Sequence, residues 1–87
     1  KLIRVNAMLD TNQEALIIFM EECNEAAIEA SKILRFGKGA DLLESEIGDV
    51  MCMIKILEEA GMVDMNNVLA CADAKRVKLK TWSNLNV

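Results

Sequence analysis

The chain has 87 residues, of which 53% are hydrophobic and 28% charged, and its formal net charge is −4. This length allows one small domain over residues 1–87, and the acidic balance argues against specific nucleic-acid binding. No apolar run approaches the length of a membrane-spanning helix and no signal peptide is visible, so we expect no membrane partner and a cytoplasmic location.

The first half of the chain predicts a short helix followed by a long one. Residues 1–10 carry apolar side chains at a spacing suited to a short helix. Either Asp10 or Thr11 then suits the N-cap, and Glu14 completes a capping-box pattern with Thr11. The long helix is predicted over about 12–35, because apolar residues recur there with helical spacing.

Glycines and a short acidic residue mark the connection to the second long helix. Gly37 is predicted to be the left-handed cap that ends the first long helix. Asp41 is a candidate cap for the second helix, which should run to about Ala60. Gly61 then stops it.

The last third of the chain predicts one more helix and a short tail. Asp64 or Asn66 should begin this helix, which extends to about Lys80. Residues 81–87 are expected to be an irregular tail, which leaves 11–80 as the core of the domain. The chain also lacks proline. The predicted fold is therefore all-α: a small antiparallel bundle of about three main helices per chain, completed by oligomerisation.

The hydrophobic content and the cysteines constrain assembly and location. So many apolar side chains exceed what a monomer of this size can bury, which predicts a homo-oligomer, either a dimer or a tetramer. Cys23, Cys52 and Cys71 are widely spaced, and the chain has no histidine. This excludes a disulfide framework and a zinc site, so we expect the cysteines to be small core residues in a reducing cytoplasm.

Acidic residues interrupt the apolar stripe of both long helices. At about 100° per residue, each stripe carries acids among aliphatic side chains. These acids are Glu22, Glu25 and Glu29 in the first helix, and Glu46 and Asp49 in the second. Buried carboxylates are rare unless they are paired or bound to a cation. A short connection favours antiparallel neighbours, so the two stripes would face each other and form a divalent-metal site.

A solvent-exposed acidic face is the alternative explanation of this pattern. It would make the protein a non-enzymatic helical module that dimerises or binds a partner. Two observations favour the metal site instead. The acids share their stripes with aliphatic residues rather than lysines, and the same arrangement occurs twice.

The two acidic motifs resemble those of a known enzyme family. Glu21-Glu22-Cys23-Asn24-Glu25 matches EExxE, and Glu46-Ile47-Gly48-Asp49 matches ExxD. Both motifs, in this order and on helices, resemble the MazG-like all-α nucleoside triphosphate pyrophosphohydrolases of the compact phage and bacterial type. The resemblance extends over about residues 11–85. It implies Mg²⁺-dependent cleavage of an NTP or dNTP to the monophosphate and pyrophosphate by a dimer or a dimer of dimers.

The resemblance also implies roles for individual acids. The metal ligands would be Glu22, Glu25, Glu46 and Asp49, the four residues that the helical wheel also selects. Glu21 would be either a further metal contact or the base that orients water, so Glu21 and Glu22 are the expected catalytic residues. We expect one or two Mg²⁺ ions as the cofactor, with Mn²⁺ as a substitute.

Cations are needed to hold the triphosphate. The candidates form two groups: Lys75, Arg76, Lys78 and Lys80, and Lys32, Arg35 and Lys38. Of these, Lys38, Lys75 and Lys78 are the predicted substrate-binding residues, although basic residues at a helix end are also typical of a solvated terminus. Trp82 is a candidate for stacking on the base, but anchoring the tail to the bundle is the favoured interpretation.

Overall fold

Three α-helices make up the part of the chain that the structure describes. The structure is a computed structural model that describes residues 10–37 and 39–87. The helices are α1 (Thr11–Phe36), α2 (Asp41–Glu59) and α3 (Met65–Trp82). The described residues contain no strand, so the predicted all-α class is confirmed. The short helix predicted at the N-terminus falls almost entirely outside the described residues.

A capping box begins α1. The Asp10 carboxylate accepts a hydrogen bond from the Gln13 backbone N–H at 2.7 Å, and the Gln13 side chain accepts one from the Asp10 N–H at 3.0 Å. Of the two predicted caps, Asp10 is therefore correct. The predicted pairing of Thr11 with Glu14 is wrong, because Thr11 already lies in the first turn of the helix.

Gly37 ends α1 as predicted. Its φ of 65° is left-handed, and its N–H donates to the carbonyl oxygen of Ile33. A side chain at this position would strain the backbone, which is why glycine suits it. The next helix, α2, begins at Asp41.

The C-terminal end of α2 matches the prediction, whereas its N-terminal end does not. The residue before the helix is Ala40, which makes no side-chain capping bond, so the predicted cap at Asp41 is wrong. Asp41 instead lies in the first turn, where its negative charge interacts favourably with the helix dipole. At the other end, Gly61 has a φ of 72° and its N–H donates to the Glu58 carbonyl, as expected for a helix stop.

α3 begins where predicted and ends later. The Asp64 carboxylate accepts from the Asn66 N–H at 2.8 Å, which caps the helix. The helix continues through Trp82, and the Ser83 hydroxyl donates to the Leu79 carbonyl at 2.7 Å. The irregular segment therefore starts at Ser83, because no glycine or proline interrupts the helix before it.

α1 and α2 form an antiparallel hairpin around a small apolar core. Ala15, early in α1, clusters with Met53 and Leu57, late in α2. Glu22, later in α1, meets Glu46, which comes earlier in α2. Early residues of α1 therefore contact late residues of α2, and later residues of α1 contact earlier ones of α2, as in an antiparallel pair. Four half-buried residues complete the core: Ile18, Phe19, Met62 and Val63.

α3 stands apart from this hairpin. None of its residues is buried, and α1 with α2 is the one pair of described helices that share an extensive interface. Trp82 is 82% exposed, so the expectation that it anchors the tail is wrong. Cys52 and Cys71 are also exposed and only Cys23 is half-buried, so the prediction of core cysteines is wrong for two of the three. None of the described helices is long and apolar enough to cross a membrane.

The conformation of Gly37 predicts a stability difference between two neighbouring glycines. Gly37→Ala should lower the free energy of unfolding by about 1 kcal/mol, because a Cβ is disfavoured at left-handed φ. Gly39→Ala is the matched control, since Gly39 lies in the same connection with open space around it and no positive φ. Urea unfolding of both variants checks this, and equal loss of stability would contradict the assignment.

Candidate metal centre

Three carboxylates meet between α1 and α2. They belong to Glu22 on α1 and to Glu46 and Asp49 on α2, and one oxygen of each lies within 4.8 Å of the other two. The structure thus brings together one acid of the first motif with both acids of the second. Three of the four predicted metal ligands converge in this cluster.

The helical periodicity explains this convergence. Glu46 and Asp49 are three residues apart on α2, so their side chains are neighbours on one side of the helix. Glu22 lies on the inward side of α1, one turn after the half-buried Ile18. Because the helices are antiparallel and packed together, these inward positions face each other.

The cluster is closed on one side and open on the other. Glu22 is 5% exposed and Glu46 is 9% exposed, whereas Asp49 is exposed. Two buried negative charges at this separation repel each other by roughly 3 kcal/mol at an effective dielectric constant of about 20. A cation between the carboxylates would offset that repulsion. Because Asp49 is exposed, water and an anionic ligand could reach such a cation from that side.

Asp49 lies at the edge because the line of residues on α2 that packs against α1, here called the seam, is narrower than the stripe that the helical wheel predicts. The inward residues of α2 are Glu46, Val50, Met53 and Leu57, which are buried or half-buried. Their alternating spacing of four and three residues is typical of a seam between two packed helices. Asp49 precedes Val50 and therefore flanks the seam. The four-and-three spacing in the sequence could have shown that Asp49 is not one of the inward residues.

The donor set fits a hard divalent cation. Carboxylate oxygens are the ligands that Mg²⁺ and Ca²⁺ prefer, and the chain offers no imidazole. Mg²⁺ binds oxygens at about 2.0–2.1 Å, so two oxygens on opposite sides of the ion are about 4.2 Å apart. Adjacent oxygens of an octahedral ion are only about 2.9 Å apart, so side chains whose oxygens lie within 4.8 Å of one another would have to move closer to bind a single ion.

The remaining acids of the first motif lie beside the cluster. Glu25 and Glu21 are both half-buried on α1, and neither belongs to the group of three. Their assignments as metal ligand and catalytic residue stay predictions. Glu29 forms a salt bridge with Lys32 at 3.2 Å and is not one of the three clustered acids.

The predicted phosphate-binding cations are distributed over α1 and α3. Lys75 and Lys78 are exposed on α3, which has no extensive interface with the hairpin. On α1, Lys32 pairs with Glu29, and the Arg35 guanidinium lies 5.0 Å from the centre of the Phe36 ring. Lys38 lies outside the described residues. Its role, with those of Lys75, Lys78 and Trp82, stays a prediction.

Comparison of the chain with protein-family models, curated proteins and solved structures finds no match. Function is therefore inferred from the meeting of Glu22, Glu46 and Asp49 and from the two motifs that contain them.

The cluster predicts that divalent cations stabilise the folded protein. Raising Mg²⁺ should increase the melting temperature, because an ion at a hundred times its dissociation constant adds about 2.7 kcal/mol to the stability of the folded state. Glu46→Gln should remove most of this gain by removing a charged ligand. Differential scanning fluorimetry at constant ionic strength provides the measurement.

Glu44→Gln is the matched control for this test. Glu44 is exposed two residues earlier on α2, on a different side of the helix, so its substitution should preserve the stabilisation by Mg²⁺. An equal gain in both variants would show that Mg²⁺ acts elsewhere on the protein.

Proposed function

We propose that the protein is a Mg²⁺-dependent nucleoside triphosphate pyrophosphohydrolase, which cleaves an NTP or dNTP to the monophosphate and pyrophosphate. The observation that supports this most directly is the meeting of three carboxylates from the EExxE-like and ExxD-like motifs within 4.8 Å. The resemblance of these motifs to the MazG-like family supports the choice of substrate class.

The reaction requires neutralisation of a highly charged substrate. Glu22, Glu46 and Asp49 would hold Mg²⁺, which would supply positive charge to the phosphate oxygens, acidify a coordinated water and stabilise the leaving pyrophosphate. Glu22 and Glu46 suit the role of fixed ligands, because burial in the helix interface restricts their side chains. Asp49 faces solvent and so leaves room beside it for water and phosphate oxygens.

The bond that breaks joins the α- and β-phosphates. A water molecule adds its oxygen to phosphorus, pyrophosphate leaves with the bridging oxygen, and the water proton passes to a base. Glu21, half-buried beside Glu22 on α1, is our candidate for that base or for an additional metal contact. Glu25 follows Glu22 by three residues, and we assign it to a second ion if two are bound.

Substrate binding is assigned to basic residues and one aromatic residue. Lys75 and Lys78 are three residues apart on the exposed surface of α3 and suit two neighbouring phosphate oxygens. Lys38 belongs to the same proposal, and the exposed indole of Trp82 offers a surface on which a base can stack. The proposed active form is a homo-oligomer.

A non-enzymatic dimerisation or partner-binding module is the second candidate. Its support is the large amount of exposed apolar surface, which includes Leu34, Phe36, Leu69 and Val77. It gives no reason for two acids to be buried together in the hairpin interface. The two candidates also predict different responses to nucleotides and Mg²⁺.

Pyrophosphate release from a panel of NTPs and dNTPs tests the proposed reaction. Release should require Mg²⁺ or Mn²⁺ and should stop when the ion is chelated. Glu46→Gln should reduce kcat/KM by about a hundredfold or more, since even residues that only support a metal ligand are worth 10–100-fold. Glu44→Gln should retain activity close to that of the wild type.

The products distinguish the proposed reaction from other phosphatase activities. Release of the nucleoside monophosphate together with pyrophosphate supports the proposal, whereas stepwise release of inorganic phosphate contradicts it. Activity that survives Glu46→Gln would exclude the proposed ligand set. Absence of turnover of the whole panel with either ion would favour the partner-binding module.

A further inference from the structure

A partly buried salt bridge on α1 holds one lysine beside the helix interface. The Lys32 ammonium lies 3.2 Å from a carboxylate oxygen of Glu29, and the two side chains are 37% and 12% exposed, respectively. In the part of the chain that the structure describes, every other basic residue is exposed. Partial burial and the bond to Glu29 restrict the Lys32 side chain, so its charge has a defined position before any ligand binds.

The helical register relates this salt bridge to the carboxylate cluster. Glu29 follows Glu22 by seven residues, so both side chains lie on the inward side of α1. Seven residues rise by about 10.5 Å along the helix axis. The Lys32 side chain leans back toward the N-terminus of the helix, where its ammonium donates to Glu29. The ammonium is therefore about 10 Å from Glu22, measured along α1.

Lys32 and Asp49 lie on the same side of the line of contact between α1 and α2. Asp49 comes three residues after the inward Glu46. Lys32 likewise comes three residues after the inward Glu29. In an antiparallel pair of helices, equal offsets from the inward positions place side chains on the same side of the contact. Lys32 therefore lies on the side from which an anionic ligand can reach the cluster.

The charge balance of the hairpin gives this lysine a chemical role. α1 and α2 together contain eleven acidic and three basic residues. A triphosphate that binds an ion at the cluster would extend beyond that ion and would be repelled by the surrounding acids. A fixed ammonium on the same side offsets that repulsion, because lysine is a compact positive charge that binds phosphate. An ammonium has three N–H donors, so Lys32 can keep its bond to Glu29 and donate another to a phosphate oxygen.

We propose that Lys32 binds a phosphate oxygen of the triphosphate and that Glu29 is a positioning residue, which holds the ammonium in place for this contact. This role depends on the proposed function, because it requires a triphosphate bound to an ion between Glu22, Glu46 and Asp49. It adds a contact from the hairpin to those assigned to α3. Lys32 contributes binding only, so no covalent bond is made or broken at its side chain.

Binding of inorganic tripolyphosphate to the Mg²⁺-saturated 87-residue protein tests this contact apart from nucleotide turnover. In isothermal titration calorimetry, Lys32→Ala and Lys32→Gln should each weaken the affinity about tenfold or more, because a charge-assisted hydrogen bond is lost. Lys32→Arg keeps the charge and should retain most of the affinity. Lys55→Ala is the matched control. Lys55 is exposed on the outer side of α2, so its removal changes the net charge of the hairpin equally and should leave the affinity within about twofold.

The sign of the effect of Glu29→Gln separates positioning from simple repulsion. Removal of a negative charge alone would strengthen the binding of a polyanion. If Glu29 positions Lys32, Glu29→Gln should instead weaken tripolyphosphate binding about threefold, and it should not weaken binding further in the Lys32→Ala background. In turnover of an NTP, Lys32→Ala should raise KM and leave kcat nearly unchanged, since it removes binding that is equal in the ground state and the transition state.

Equal losses of affinity for Lys32→Ala and Lys55→Ala would overturn the proposal, as would tighter binding by Glu29→Gln or a wild type that does not bind tripolyphosphate with Mg²⁺. Helix content by circular dichroism and the rise in melting temperature with Mg²⁺ should be the same in Lys32→Ala as in the wild type. NTP turnover with an unaltered KM in Lys32→Ala would contradict the role of Lys32 alone. Binding of tripolyphosphate that depends on Lys32, without turnover of any NTP, would contradict the proposed reaction alone.

Discussion

The burial of two carboxylates in the α1–α2 interface is the constraint on which the rest of the structure depends. The apolar core of the hairpin is small, because Ala15, Met53 and Leu57 are the only buried hydrophobic residues in the part of the chain that the structure describes. Glu22 and Glu46 continue the same interface, so packing the helices together also forces two negative charges together. The stability of the hairpin and the candidate metal centre are therefore linked, since a cation between the carboxylates would offset their repulsion.

The chain divides its chemical roles between two parts. The α1–α2 hairpin carries most of the acids, whereas α3 carries four of the basic residues and has no buried residue. A triphosphate needs both metal ligands and cations, so a complete site would combine these parts. The proposed homo-oligomer would also explain why a chain with 53% hydrophobic residues buries so few of the described ones by itself.

Local patterns predicted the helices well and their packing less well. Gly37 and Asp64 were recognisable as caps because glycine and aspartate satisfy specific backbone requirements there. Asp41 was not a cap, since the chain had already entered the helix at that residue. The exposure of Trp82 and Cys71 could not be inferred from periodicity, because it depends on whether α3 packs against its own chain.

The candidate site was predictable to the level of helix faces. Glu22 and Glu46 share the inward faces that periodicity selects, and both are buried. Asp49 flanks the seam and Glu25 lies outside the cluster, because the line of contact between two packed helices is narrower than the stripe drawn on a helical wheel.

The most direct measurement of the central claim is anomalous diffraction from crystals grown with Mn²⁺. An anomalous peak between Glu22, Glu46 and Asp49, with a carboxylate oxygen of each residue coordinating the ion, is the predicted result. Carboxylates that point into solvent with no peak between them would contradict it.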